Sequence, residues 1–191
     1  MNSYQIEHNF ATMNFERVID GIPKLLVKKE ENLLNFFVKN KRNSSYKLKL
    51  LYDFMDEIYQ HVNKNTPCKK GCNHCCHYNV SISELEVQYI ENTYNINRSQ
   101  NDSFVSDFHG KPCPFLNEGS CSIYRARPFV CRRHVSLGRT ENWCEVKIAN
   151  DYKFPLLAFS EIDKSYDFLV NESGLNQRND IRQQFKKHDD R

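Results

Sequence analysis

The chain has 191 residues, of which 39% are hydrophobic and 27% charged, a balance that suits one ordinary core and excludes a disordered protein. The formal net charge is only +3, so global electrostatics make a nucleic-acid partner unlikely. No apolar run approaches the ~20 residues of a membrane span, and the first ten residues do not resemble a secretory signal. We therefore expect a cytoplasmic, monomeric protein with no membrane association, whose thiols stay reduced.

The residues before the first cysteine are expected to be helical. Apolar side chains recur at helical spacing between Ile22 and Phe37, and a clearer apolar stripe runs from Leu48 to Val62. These two segments predict an antiparallel hairpin within residues 1–67. We expect its apolar positions to pack against the rest of the chain rather than to form a separate domain.

A further helix is predicted just after the first cysteines. Two overlapping pairs, Ser81 with Glu84 and Ser83 with Glu86, each fit the capping box that starts a helix. The pattern predicts a helix over about residues 83–93.

The other flanking segments have weaker patterns. Residues 95–110 are polar without a period and predict a loop, whereas the mixed apolar signals of residues 156–170 indicate no particular element. Residues 175–191 are polar with loose helical spacing, and we expect this tail to fray.

All eight cysteines lie in one stretch of the chain, and CKKGCNHCC, residues 68–76, contains four of them. In a tight turn, thiolates a few residues apart can face one metal while backbone N–H groups donate to the sulfurs, and Gly71 suits such a turn. In a reducing compartment this density predicts metal ligands before disulfides. The candidate metal ligands are Cys68, Cys72, Cys75, Cys76, Cys113, Cys121, Cys131 and Cys144.

The adjacent cysteines, Cys75 and Cys76, restrict the kind of site. Their side chains leave the backbone in different directions, so the two do not easily bind one mononuclear ion. Either one of them is spare, or the site is polynuclear, or there are two sites, since a vicinal disulfide would be strained. Thiolates suit zinc, copper(I) and iron–sulfur clusters alike. The expected cofactor is zinc or iron, and the adjacent pair slightly favours an iron–sulfur cluster.

The second cysteine block is basic, with six Lys or Arg residues and one acidic residue, Glu118, between positions 111 and 139. Guanidinium groups near thiolates would offset their negative charge. A solvated basic face is an equally weighted alternative, and a phosphate-binding patch ranks third because there is no glycine-rich phosphate loop. The basic residues are Lys111, Arg125, Arg127, Arg132, Arg133 and Arg139.

Three histidines lie close to cysteines in the sequence. Imidazole is a common zinc ligand, but eight thiols already supply enough ligands, so we expect His74 and His77 to lie beside the metal or at the surface rather than to bind it. His134 is either an added ligand or has no role at the site. A catalytic pair of Cys131 with His134 is disfavoured, because a nucleophilic cysteine is usually single.

The combined pattern resembles the YkgJ-like CxxCxxCC family over about residues 68–149. The resemblance rests on the first cluster, on Cys113-Pro-Phe-Leu, and on Cys121-Ser-Ile-Tyr-x-x-Arg-Pro-x-x-Cys131-Arg. It implies eight shared cysteines that chelate zinc or iron, with Tyr124 and Arg127 placed around the site. A departure from the family pattern is the gap of three residues between Cys68 and Cys72, where the family has two, which makes Cys68 a less secure ligand.

Three functional hypotheses follow, and the sequence does not decide whether the protein is an enzyme. The first is a metal-binding protein. The second is a metal- or iron–sulfur-dependent modification enzyme, because a related cysteine cluster occurs in the much longer flagellin lysine N-methylases. The third is a zinc-stapled protein-interaction module. The expected fold is mainly α, with an irregular cysteine-rich metal-binding core and few strands, divided into an N-terminal helical segment (1–67), a cysteine-cluster domain (68–149) and a C-terminal extension (150–191).

Overall fold

The computed structural model describes residues 2–69, 71–99 and 107–186. The mainly α prediction is confirmed, because these ranges hold eight α-helices and only two small sheets. No helix in them is long and apolar enough to cross a membrane. The helices are α1 (Ser3–Asp20), α2 (Lys24–Glu31), α3 (Leu33–Lys39), α4 (Ser44–Val62), α5 (Glu84–Tyr94), α6 (Phe129–Arg133), α7 (Ser160–Ser173) and α8 (Ile181–Gln184). The strands are β1 (Ser81–Ser83), β2 (Leu116–Asn117), β3 (Ser120–Cys121) and β4 (Arg178–Asp180).

The N-terminal flank forms four helices, so the predicted two-helix hairpin is wrong. An additional helix, α1, precedes the apolar stripes and begins at Asn2, whose side chain accepts a hydrogen bond from the Gln5 N–H at 2.8 Å. The first stripe is divided at Asn32, which separates α2 from α3 and donates through Nδ2 to the Lys28 carbonyl. The second stripe lies on α4 as expected, and its side chains from Leu48 to Val62 are buried.

Helix α4 packs against α7 at the centre of the larger of two hydrophobic clusters. The buried side chains of α7 lie within residues 156–170, for which the sequence predicted no particular element. They include Ile162, Tyr166 and Leu169. A buried ammonium also joins the two helices, since Lys47 pairs with Glu172 at 2.7 Å. We call this cluster the helical core.

The C-terminal tail belongs to the fold as far as residue 186. Strand β4 pairs antiparallel with β1, placing Asp180 opposite Ser81. Ile181 and Phe185 then enter a second hydrophobic cluster, where the Phe185 ring lies 5.0 Å from the Phe115 ring. The expected fraying therefore does not extend to these residues, and positions 187–191 lie outside the described ranges. We call this second cluster the sheet-side core.

Helix α5 begins at the predicted place. Ser83 is its N-cap and forms the capping box with Glu86, whereas Ser81 lies in β1 and caps nothing. The predicted loop over 95–110 is described only at its ends, because residues 100–106 lie outside the described ranges. Its first part is held by Arg98, which pairs with carboxylates of α5 at 2.7 and 2.8 Å.

The carboxylate of Glu86 joins four helices. One oxygen accepts hydrogen bonds from the Tyr52 hydroxyl of α4 and from the Phe129 N–H of α6, both at 2.7 Å. The other accepts from the Tyr166 hydroxyl of α7 at 2.6 Å and from the Ser83 N–H at 2.8 Å. Only 1% of Glu86 is exposed, so these donors replace the water that the charge loses on burial.

Candidate metal centre

All eight cysteines line one cavity of about 1040 Å³. The cavity lies where the two cores meet: Cys68 packs on the helical core, while Cys113, Cys121 and Cys131 pack on the sheet-side core. Every cysteine is partly exposed, and every one is a free thiol. The fold thus brings all the predicted ligands to a single cavity. As the side chains stand, no three Cys, His, Asp or Glu groups in the described ranges converge on one point as ligands of a metal ion.

The first cysteine cluster is built from tight turns. Gly71 has a φ of +92°, in the region that side chains strain, and the next residue, Cys72, donates its N–H to the Lys69 carbonyl at 3.0 Å. A 3₁₀ helix over His74–His77 follows and carries the adjacent cysteines. These turns bring the four thiols of a short segment to one cavity wall.

Backbone N–H groups donate to three sulfurs, and these donors lie outside the turn of residues 68–76 in which such bonds were expected. The Ser136 N–H lies 3.4 Å from the Cys68 sulfur. Cys113 and Cys121 each accept from the N–H of the residue two positions later. These donors stabilise a thiolate more than a thiol and therefore lower the thiol pKa.

Burial outweighs those hydrogen bonds. It raises the pKa of Cys113 to about 12 and the pKa of Cys144 to about 11. Burial also raises the pKa of Cys131 well above its ordinary value. These three thiols therefore hold their protons in the absence of another cation, and a metal ion would bind to them in exchange for protons.

Mutual electrostatic effects place three of the cysteines in one group. Burial has the largest effect on the pKa of Cys68, and a negative charge on Cys72 raises it further. Burial also has the largest effect on the pKa of Cys144, which charges on Cys68 and Cys72 both raise. The Tyr78 hydroxyl donates to the Cys144 carbonyl and fixes this later segment against the first cluster. We call Cys68, Cys72 and Cys144 the first thiol group.

Four other cysteines act on one another in the same way. Burial has the largest effect on Cys113, whose pKa is also raised by Cys76 and Cys121. Burial likewise has the largest effect on Cys131, whose pKa is also raised by Cys113, Cys76 and Cys121. The Cys113 N–H also donates to the Cys76 carbonyl at 2.8 Å. We call Cys76, Cys113, Cys121 and Cys131 the second thiol group.

Cys75 lies between the two groups. Its thiol hydrogen-bonds to Cys76, which raises the pKa of Cys75 and lowers that of Cys76, and burial of Cys75 acts in the same direction as this bond. Cys72 of the first group and Cys131 of the second group also raise the pKa of Cys75. The adjacent pair therefore stands at the boundary between the thiol groups.

A buried arginine from the C-terminal tail lies beside the second thiol group. Arg182 donates to the carbonyl oxygens of Cys76 at 3.0 Å and of Lys111 at 2.7 Å, and its charge lowers the pKa of Cys76. Nothing in the sequence had marked Arg182 as a residue of the site. The spacing of Ile181 and Phe185 predicted a helical face, but nothing in the pattern placed that face against the cysteines.

Two predicted arginines also act on the second thiol group, where both lower the pKa of Cys121 against the larger effect of burial. Arg132 is held by Asp56 at 2.6 Å and is almost fully buried. Arg127 lies 3.8 Å above the Tyr124 ring and 3.3 Å from Asp56, and its Nη1 is buried without a partner in the described ranges. These arginines thus pair with an acidic neighbour and also offset thiolate charge.

The three histidines differ in position. His74 and His134 line the cysteine cavity, whereas His77 lies outside its lining. His134 packs edge-on against Tyr78, with ring centres 5.6 Å apart. Burial, and then the charge of Arg133, lower the pKa of His134.

Comparison with known proteins gave one match. Residues 67–149 match the CxxCxxCC family model, whose description is “putative zinc- or iron-chelating domain”. No curated protein and no solved structure matches the chain.

Proposed function

We propose that the protein holds two thiolate metal centres in its cysteine cavity, since residues 67–149 match the CxxCxxCC family model, which supports metal binding by this segment. The first centre would be bound by Cys68, Cys72, Cys75 and Cys144. The second would be bound by Cys76, Cys113, Cys121 and Cys131.

The division of the thiols into two groups carries this proposal. Zinc sites and iron–sulfur clusters usually take four protein ligands, and the second thiol group supplies four without Cys75. Cys75, on which both Cys131 of the second group and Cys72 of the first group act, then supplies the fourth ligand that the first group lacks. Sending Cys75 and Cys76 to different centres removes the difficulty of two adjacent residues binding one ion.

We favour iron–sulfur clusters over zinc as the occupants. A cluster of several iron and sulfide ions needs more room than one zinc ion, and the cavity measures about 1040 Å³. Four thiolates with Zn²⁺, or with an oxidised four-iron cluster, carry about two negative charges. The guanidinium groups of Arg127, Arg132 and Arg182 would offset this charge at the second centre.

The two centres would differ electrostatically. The second centre lies near three arginines. In the first group, by contrast, Glu141 raises the pKa values of Cys68 and Cys144, although burial and the other thiols raise them more. Positive charge near a cluster stabilises its reduced form, so the second centre would have the higher reduction potential. The cytoplasmic location, the monomeric state, the domain boundaries and the enzyme and interaction-module hypotheses stay predictions.

Single substitutions in each group test the two-centre arrangement. In protein purified without oxygen, Cys72→Ser and Cys113→Ser are each expected to lose about half of the bound metal, because each disrupts one four-ligand centre. The measurement is metal per chain by elemental analysis. His74→Ala is the matched control, because His74 lines the cavity but is not a proposed ligand, and it should keep the full metal content.

The same experiment can contradict the proposal. Loss of all metal from both cysteine variants, with helix content unchanged by circular dichroism, would mean one shared centre. Full retention in both would exclude these cysteines as ligands.

A further inference from the structure

A second groove, of about 560 Å³, adjoins the cysteine cavity. Its volume lies within the range of small-molecule sites, roughly 300–1,000 Å³. The two cavities share wall residues, among them Tyr78, His134 and Cys144. An occupant of this groove would therefore lie next to the first thiol group.

Aromatic rings form one side of the groove. Trp143 and Tyr152 stand nearly perpendicular, at 85°, with ring centres 5.0 Å apart, and Phe154 lies 5.6 Å from Trp143. Tyr4 of α1 packs 4.8 Å from Tyr152, and its hydroxyl donates to the Lys153 carbonyl at 2.8 Å. These contacts hold two aromatic walls at a right angle to each other.

A carboxylate lies in the same lining. Asp107 accepts hydrogen bonds at 2.9 Å from the Asn79 side-chain amide and from the His109 N–H. The Asn79 oxygen in turn accepts from the Phe108 N–H at 2.8 Å, which fixes the amide. Asp107 is exposed to solvent and forms no ion pair within the part of the chain that the structure describes. After its hydrogen bonds from the His109 N–H and the Asn79 amide, the charges of His109 and Lys111 lower its pKa. This carboxylate is therefore oriented by hydrogen bonds, with no ion-pair partner among the described residues.

The charges of the groove favour a cation. Among the described lining residues Asp107 is the only carboxylate, and none is lysine or arginine. Aromatic faces carry negative potential and attract ammonium groups, most of all those of tryptophan and tyrosine. From this combination we propose that the groove binds a small organic ammonium ion, between the Trp143–Tyr152 corner and the Asp107 carboxylate. The inference does not depend on which metal the cysteines hold.

Trp143 gives a direct measurement of binding, because it is the only tryptophan in the chain and lines the groove. We would titrate the full chain, as purified without oxygen, with choline chloride at constant ionic strength and follow tryptophan fluorescence. The uncharged comparison is 3,3-dimethylbutan-1-ol, which has the shape of choline but carbon in place of the ammonium nitrogen. We expect a saturable change with choline and at least tenfold weaker binding of the alcohol. Equal binding of both, or no saturable change with choline, would overturn the inference.

A charge-removing variant tests the role of the carboxylate. Asp107→Asn keeps the side-chain size and should weaken choline binding about tenfold while leaving binding of the alcohol unchanged. Asp151→Asn is the matched control, because Asp151 is exposed and lies outside the groove lining, and it should bind choline as the unaltered chain does. Both variants are first compared by circular dichroism and thermal unfolding. An Asp107→Asn protein that is folded and binds choline normally would overturn the proposed site.

Discussion

Replacement of Glu86 by alanine is expected to lower the free energy of unfolding by ~3–5 kcal/mol, because a buried charge-assisted network would lose its acceptor. The hydroxyls of Tyr52 and Tyr166 and the N–H of Phe129 all donate to this one carboxylate. The substitution would leave these donors buried without their acceptor. Urea denaturation followed by circular dichroism measures the effect.

A neighbouring position supplies the matched control. Asn92 is exposed on the same helix, so Asn92→Ala should change the free energy of unfolding by no more than ~0.5 kcal/mol. Glu86→Gln should fall between the two, because an amide has only one oxygen to accept the four donors. If Glu86→Ala unfolded at the same urea concentration as Asn92→Ala, the carboxylate would not hold the helices together.

The effect of Glu86 should reach the cysteines. Its hydrogen bond to Phe129 fixes the first residue of α6, the helix that carries Cys131. The Glu86→Ala protein should therefore also retain less metal than the Asn92→Ala protein.

Removal of the metal is expected to have the second large effect. The segment from Cys113 to Cys144 has little regular structure, and its thiols line the cavity where the two cores meet. Metal binding to such a segment contributes directly to folding, with apparent binding free energies of ~10–16 kcal/mol for structural zinc in small peptides. Chelation should therefore raise hydrogen exchange strongly in this segment. The helices of the helical core should keep most of their protection, because α4 and α7 pack without any cysteine.

Segment-resolved hydrogen exchange by mass spectrometry makes this measurement. A variant carrying Cys72→Ser and Cys113→Ser together serves as the control, because it should bind no metal and should not respond to the chelator. Unchanged exchange between Cys113 and Cys144 after complete metal loss would contradict a stabilising role of the metal.

The features that the sequence predicted correctly are local in the chain. The Ser83–Glu86 capping box depends on residues three positions apart, and the apolar stripe of α4 recurs within a few turns. The first apolar stripe, from Ile22 to Phe37, gave no sign of the break between α2 and α3 at Asn32, because a single asparagine is compatible with a continuous helix.

Long-range contacts could not be predicted. The Tyr52 and Tyr166 hydroxyls donate to Glu86 across 34 and 80 residues of sequence. The capping box therefore gave no indication that Glu86 also joins α4 and α7. Arg182 contacts Cys76 across 106 residues. The adjacent cysteines left open a spare cysteine, a polynuclear site or two sites, because the sequence does not show how the second block folds back onto the first, where the Cys113 N–H donates to the Cys76 carbonyl.

The most direct test of the central claim is the metal and acid-labile sulfide content of the full chain, purified without oxygen or chelator, together with its absorption spectrum. Two iron–sulfur centres predict brown protein containing iron and sulfide, with a broad absorption band in the visible range that falls by about half in Cys113→Ser. Colourless protein with stoichiometric zinc and no sulfide would contradict the iron–sulfur assignment. Protein with neither metal and with oxidised thiols would contradict metal binding itself.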